Sequence, residues 1–159
     1  MKKKVPFLVA YSIAMGYVEA MVVVYLRRLV PVELWKKVKT YQQLCRLIET
    51  SGIRWSEQTR EFATIVMLVS VACLFGKNMK EKFAAFLISF GIWDIFYYIF
   101  LYIWLRWPEN LLTYDVLFLI PSAWVAPVII PVSISILMIT SGFFPLINSS
   151  RKERGENIM

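Results

Sequence analysis

Phe83-Ala84-Ala85-Phe86-Leu87-Ile88-Ser89-Phe90-Gly91-Ile92-Trp93-Asp94-Ile95-Phe96-Tyr97-Tyr98-Ile99-Phe100-Leu101-Tyr102-Ile103-Trp104-Leu105-Arg106-Trp107 is an apolar run with a single acid, Asp94, near its middle. At a rise of roughly 1.5 Å per residue it reaches about 37 Å, enough to cross a ~30 Å hydrocarbon layer with some tilt. The run therefore reads as a transmembrane helix, and Asp94 lies deep within it. A carboxylate there costs on the order of 3 kcal/mol or more unless it faces the protein interior, so it marks a functional site by default.

Working outward, the whole chain has the same character. Of its 159 residues 58% are hydrophobic and 16% aromatic, mean hydropathy is +0.59, and the apolar residues come in blocks. That composition predicts an all-α membrane protein, a single integral membrane domain over 1–159. Four transmembrane helices are expected, over about 6–26, 56–76, 83–107 and 122–144. The net charge of +7 does not point to nucleic acid, because the basic residues flank the apolar blocks, where they orient membrane proteins and meet anionic headgroups. With no histidine in the chain, haem held by His and His-based zinc sites are excluded, and no cofactor is evident. Cys45 falls in a loop and Cys73 in a span, which argues against a disulfide between them.

The first apolar run follows Lys2-Lys3-Lys4, is too long for a signal-peptide core and ends in Arg27-Arg28, so it reads as a signal anchor. Ser12, Gly16, Glu19 and Ala20 sit on neighbouring positions of one helical face. The Gly16/Ala20 step admits a close neighbour, and carries Glu19 toward the bundle; the alternative is that Glu19 reaches the headgroups by itself. Over 33–49, Leu34, Val38, Tyr41, Cys45 and Ile48 alternate at helical spacing with Lys36, Lys37, Lys39, Gln42, Gln43 and Arg46. This is an amphipathic helix lying on the bilayer surface against anionic headgroups, or docking a partner membrane subunit.

The second span starts near Ser56, an expected N-cap, and Glu57, Arg60, Glu61 and Thr64 form a ladder entering it. After Trp107-Pro108 the pattern is irregular. The stretch 111–120 holds Asp115 and is too short to cross, so it reads as a short helix or re-entrant piece; Pro121, Pro127 and Pro131 then predict a proline-broken last segment, with Ser133 and Ser135 available to satisfy freed carbonyls.

The positive-inside count divides the 18 basic residues evenly between the two sides. The termini are placed in the cytoplasm because Lys2, Lys3, Lys4, Lys77, Lys80, Lys82, Arg151, Lys152 and Arg154 crowd short segments next to the spans. Depth then brings the acids together. Glu19 and Asp94 each lie roughly 17–20 Å from the terminus side, Glu61 enters from the loop side, and Asp115 precedes the fourth span. One carboxylate from each of four helices, with Tyr17, Tyr97 and Tyr98 as hydroxyl donors, Arg60 as counter-ion, and Arg27 or Arg28 as further candidates, predicts a polar binding pocket opening toward the long loop. The alternative is that these groups pair off only to fix helix register. The spacing assigns no metal site.

Gly16-Tyr17-Val18-Glu19-Ala20, Arg60-Glu61, Gly91-Ile92-Trp93-Asp94-Ile95-Phe96-Tyr97-Tyr98, Tyr114-Asp115-Val116-Leu117-Phe118-Leu119-Ile120-Pro121 and Trp124-Val125-Ala126-Pro127 together resemble a family of small prokaryotic integral membrane proteins known only as hypothetical proteins. The family usually has Trp where this chain has Tyr114 and Pro where it has Ala123. The resemblance implies a membrane protein and no mechanism. Three functions are compatible with the residues: binding or translocation of a cation, protonated small molecule or proton by a monomer or homo-oligomer; an accessory subunit of a larger membrane complex, bound to a partner membrane subunit; and a membrane-embedded enzyme using paired acids. The enzyme reading is weakest, since no phosphate loop, nucleophile elbow or cysteine metal motif occurs.

Overall fold

In the computed structural model, which describes residues 4–29, 54–120 and 123–156, the chain is predominantly helical with one small sheet. Helix α1 spans Val5–Leu29, α2 Arg54–Phe75, α3 Met79–Leu105 and α4 Ile129–Glu156; strands β1 (Tyr114–Phe118) and β2 (Trp124–Pro127) lie between α3 and α4. Among the described residues three helices, α1 to α3, are long and apolar enough to cross a membrane. The surface helix expected over 33–49 lies outside the described residues.

The decisive run becomes the central helix, and it begins earlier than its apolar residues do. Asn78 caps α3, its side chain accepting from the Glu81 amide at 3.0 Å, while the Glu81 carboxylate accepts from the Lys77 amide at 2.9 Å. Two of the orphan donors around the helix start are satisfied in this way. At the other end Arg106 takes a left-handed conformation, φ 53°, and its N–H bonds to the Tyr102 carbonyl. Helix α2 begins at Arg54, so Ser56, expected as its N-cap, already lies inside the first turn.

Around α3 the other helices pack at small residues. Gly16 of α1 sits against the Trp93 backbone, where an added Cβ would come within 2.8 Å of the carbonyl oxygen, and Ala20 and Val24 pack on Leu101 farther along. Rising numbers meet rising numbers, so α1 and α3 run parallel. Gly91 of α3 meets Ser135 and Ile139, and Gly142 meets Ile88, so α4 runs antiparallel to α3. The spacing of Glu61, Thr64, Leu68, Ala72 and Phe75 gives α2 one buried stripe. Near the terminus-side end, Leu8, Ala72, Phe75, Ala84, Ala85, Ile88 and Ile92 form an apolar core.

The segment 111–120 differs from the sequence expectation. It is not a short helix but carries the first arm, Tyr114–Phe118, of an antiparallel hairpin, pairing Tyr114 with Pro127, Asp115 with Ala126, Val116 with Val125 and Phe118 with Trp124, with a bulge between Val116 and Phe118. Aromatic and β-branched residues favour the pleated form, and Pro127, lacking an N–H, is tolerated at an edge. The last helix is also not proline-broken from 122 onward. It starts at Ile129, and Pro131 falls in its first turn, where an N–H would be an orphan anyway. The Val128 and Ile129 amides donate instead to the Thr113 and Leu111 carbonyls, which stitches the helix start to the loop before β1.

Candidate functional site

The first turns of α2 position the site. Residues three and four apart on one helix face place Glu57, Arg60, Glu61 and Thr64 in a row. Arg60 donates from Nε and Nη2 to Glu57 Oε2, at 3.1 and 2.8 Å, and its other arm forms an ion pair with Glu19 of α1. Glu19 is 4% exposed and also accepts from the Thr64 hydroxyl. A carboxylate in the middle of an apolar helix is thereby held by a guanidinium and a hydroxyl from the neighbouring element. Glu61 turns toward the hairpin instead, accepting from the Leu119 amide at 2.8 Å, while Gln58 donates to the Leu119 carbonyl at 2.7 Å.

From α3, Asp94 accepts from the Ser135 hydroxyl of α4 at 2.8 Å, and Tyr98 donates its hydroxyl to Asp115 Oδ2 at 3.1 Å. Asp115 is buried on β1, and the loss of water pushes its carboxyl up to about 6, against the opposing pull of the Arg27 guanidinium, the Tyr98 hydroxyl and the Val116 amide. Arg27 stacks 4.0 Å from the centre of the Trp107 ring. Arg28 and Tyr17 are exposed and do not line the site; Tyr17 packs edge-on against Phe100 instead.

Side chains from α1, α2, α3 and β1 line a partly open cavity of about 50 Å³. The seven residues expected to form a pocket, Glu19, Arg60, Glu61, Asp94, Tyr97, Tyr98 and Asp115, all line it. Asp115 arrives on a strand rather than a fourth helix, which changes the geometry: β1 forms one wall, with Val116, Leu117 and Phe118 beside it. Helix α4 reaches the site only indirectly, through Ser135.

Besides the hairpin residues Val116, Leu117 and Phe118, three contributors are missing from the sequence reading of the pocket. Thr64 was visible on the α2 ladder. Trp93 adjoins Asp94 and lines the cavity, and its buried Nε1 has no hydrogen-bond partner among the described residues. Ser135 looked like a hydroxyl that bonds its own helix, as Ser133 does to the Ile129 carbonyl at 2.7 Å. Among the described residues, no three Asp, Glu or Cys side chains come together in a way that could hold a metal ion. A cavity of this size has room for about three to five water-sized groups, at roughly 10–15 Å³ each, so it suits a hydrated ion or a very small molecule. Comparison with protein-family models, with curated proteins and with solved structures finds no match to this chain.

Proposed function

We propose that the chain is a multi-pass cell-membrane protein, a four-span helical bundle with both termini in the cytoplasm, whose acidic cavity binds or translocates a cation, a protonated small molecule or a proton. The observation that carries this reading is charge balance. Four carboxyl groups and one guanidinium line the cavity, +1 − 4 = −3 if all are ionised, and nearby Arg27 offsets only one more. Buried surplus charge of that size is costly and is neutralised by protons or by a bound cation. Exposed Tyr25, Trp55, Tyr102, Trp104 and Trp124 at the loop-side ends of the elements support a membrane boundary there. The apolar core at the opposite end supports loading from the loop side. On this reading α4 is the fourth span, its apolar part Ile129–Phe144 being shorter than the others.

Purified protein in proteoliposomes, with an internal pH dye and with monovalent cations, divalent metals and amines offered in turn, tests the reading. Binding or flux that is present in the wild type and lost in a folded Asp94→Asn variant is expected. A wild type inert to every one of these overturns it.

A second reading, an accessory subunit of a larger membrane complex, is favoured by one specific observation: Glu19, Glu61 and Asp115 already have partners in Arg60 and Thr64, Leu119 and Tyr98. Under it the acids fix register, and the protein co-purifies obligatorily with other subunits.

A further inference from the structure

The turn between α2 and α3 gathers charge at the end of the bundle that the cavity does not use. Gly76 packs so closely on the start of α3 that an added Cβ would stand 2.7 Å from the Glu81 carbonyl carbon and closer still to the Lys82 nitrogen. Lys77 follows Gly76 directly and Lys80 lies in the first turn of α3, so Lys77, Lys80 and Lys82 are held within one tight connection. Lys4 stands at the same end, because Val5 and Leu8 of α1 pack with Phe75 and Ala84. The one acid of the turn, Glu81, is taken up by the fold, its carboxylate accepting from the Lys77 amide. Among the described residues no ion pair includes any of these four lysines. The arginines at the loop-side end are used differently: Arg60 holds Glu57 and Glu19, Arg27 lies over the Trp107 ring and Arg106 over that of Tyr102. A cationic cluster without an internal counter-charge attracts an external anion.

The surface around the lysines tells what carries that anion. Leu74, in the last turn of α2, is 81% exposed, Met79 77% and Phe83 63%. Free phosphate, nucleic acid and an acidic soluble partner leave such side chains in water, whereas a phospholipid brings a phosphate and acyl chains together. Lysine stems can run along the apolar boundary and set their ammonium groups at the level of the phosphates.

We propose that the α2–α3 turn is a binding site for the headgroup of an anionic phospholipid, with Lys77, Lys80 and Lys82 on its phosphate and Leu74, Met79 and Phe83 against its acyl chains. The close approach at Gly76 keeps the three ammonium groups together, which sets this site apart from the diffuse attraction of any basic segment to a membrane.

The test uses the full chain in neutral detergent, titrated by calorimetry with short-chain phosphatidylglycerol, with phosphatidylcholine of the same chain length and with inorganic phosphate. Phosphatidylglycerol is expected to bind at least about tenfold more tightly than phosphatidylcholine, and the preference should shrink as salt is raised. Each of Lys77→Gln, Lys80→Gln and Lys82→Gln should weaken phosphatidylglycerol about fivefold, and the triple variant should bring the two lipids to similar affinity. The corresponding triple arginine variant should keep the preference. So should the combination Arg151→Gln, Lys152→Gln and Arg154→Gln, which removes the same charge from the C-terminal end of α4. If the triple glutamine variant does not fold, Lys80→Gln, at an exposed position, decides alone. Equal affinity of the wild type for the two lipids overturns the proposal. Inorganic phosphate binding as tightly as phosphatidylglycerol overturns it in favour of a bare anion site, and an equal loss in the two charge-removing triple variants overturns it in favour of diffuse attraction. Each of these outcomes leaves the cation reading of the cavity untouched.

Discussion

Glu61 Oε2 and the Leu119 amide lie 2.8 Å apart, a carboxylate of the second helix holding the backbone of the hairpin. Gln58, three residues earlier, takes the carbonyl of the same residue at 2.7 Å, so both polar groups of one peptide position are satisfied by side chains from a single helix face. Non-helical backbone at membrane depth persists only where protein satisfies it.

Removing that acceptor should therefore loosen the hairpin. Glu61→Ala leaves the buried Leu119 amide without a partner and is expected to cost about 1–3 kcal/mol. Glu61→Gln keeps an oxygen in place and should cost clearly less. Thermal unfolding in detergent measures both, and an equal loss in the two variants would show that charge, not the hydrogen bond, is what Glu61 contributes.

Close helix contact gives a second expectation. A Cβ at Gly91 would stand 2.6 Å from the Ser135 carbonyl oxygen, a separation that real Cβ atoms do not reach. Gly91→Ala must push α4 away and disturb the Ser135 to Asp94 bond with it, at a cost of about 1–3 kcal/mol. Ser70→Ala, on an exposed face of α2, should leave the unfolding temperature unchanged. Similar melting of the two variants would remove the tight α3–α4 crossing.

Asp115 sets a pH dependence. Its folded-state carboxyl is raised from 3.8 to about 6, first by burial. The folded protein thus binds the proton more tightly than the unfolded chain, and stability from this group is present in acid and lost as pH rises from about 4 to about 6. The wild type should melt at higher temperature as pH falls through that window, and Asp115→Asn should flatten this part of the profile. A variant whose slope matches the wild type would show that Asp115 is not the group responsible.

Much of this arrangement was legible because acids in apolar helices have few explanations. Glu19 and Asp94 could be placed by depth alone, and the Gly16/Ala20 step told which face of α1 turns inward. The hairpin was not legible. Tyr114 to Phe118 is a short apolar run, and periodicity does not separate a buried strand from a buried helical piece of that length. Read as a short helix or re-entrant piece, the segment leaves Pro127 and Pro131 as breaks rather than as a strand edge and a first helical turn. Hydroxyls were ambiguous for a different reason. Ser12 and Ser133 bond carbonyls four residues back in their own helices, while Ser135 crosses to Asp94 and Thr64, which also bonds its own helix, crosses to Glu19. Nothing in the local sequence distinguishes these uses, because the same side chain can satisfy its own turn or a neighbour's acid.

Topology is open to direct measurement. Reporter fusions after Gln42 and after Asn148 should report opposite sides of the membrane, with Asn148 cytoplasmic. Matching signals would mean that α4 does not cross, and the hairpin would then sit at the end of a three-span bundle.

The last prediction concerns which acid answers to Arg60. Its guanidinium is paired with Glu19 and with Glu57, while Asp94 is bonded to Ser135 on another helix. Removing Arg60 strands the Glu19 carboxylate, so Arg60→Ala should destabilise more than the double variant Arg60→Ala with Glu19→Gln, in which no uncompensated charge remains at that pair. A double-mutant cycle between Arg60 and Glu19 should give a coupling energy within about 0.5–3 kcal/mol. The cycle between Arg60 and Asp94 should fall below it, because the two share only the cavity. Were the order reversed, Arg60 would be the counter-ion of Asp94, Glu19 would hold the unbalanced charge, and any cation would bind on the α1 side of the cavity rather than at Asp94.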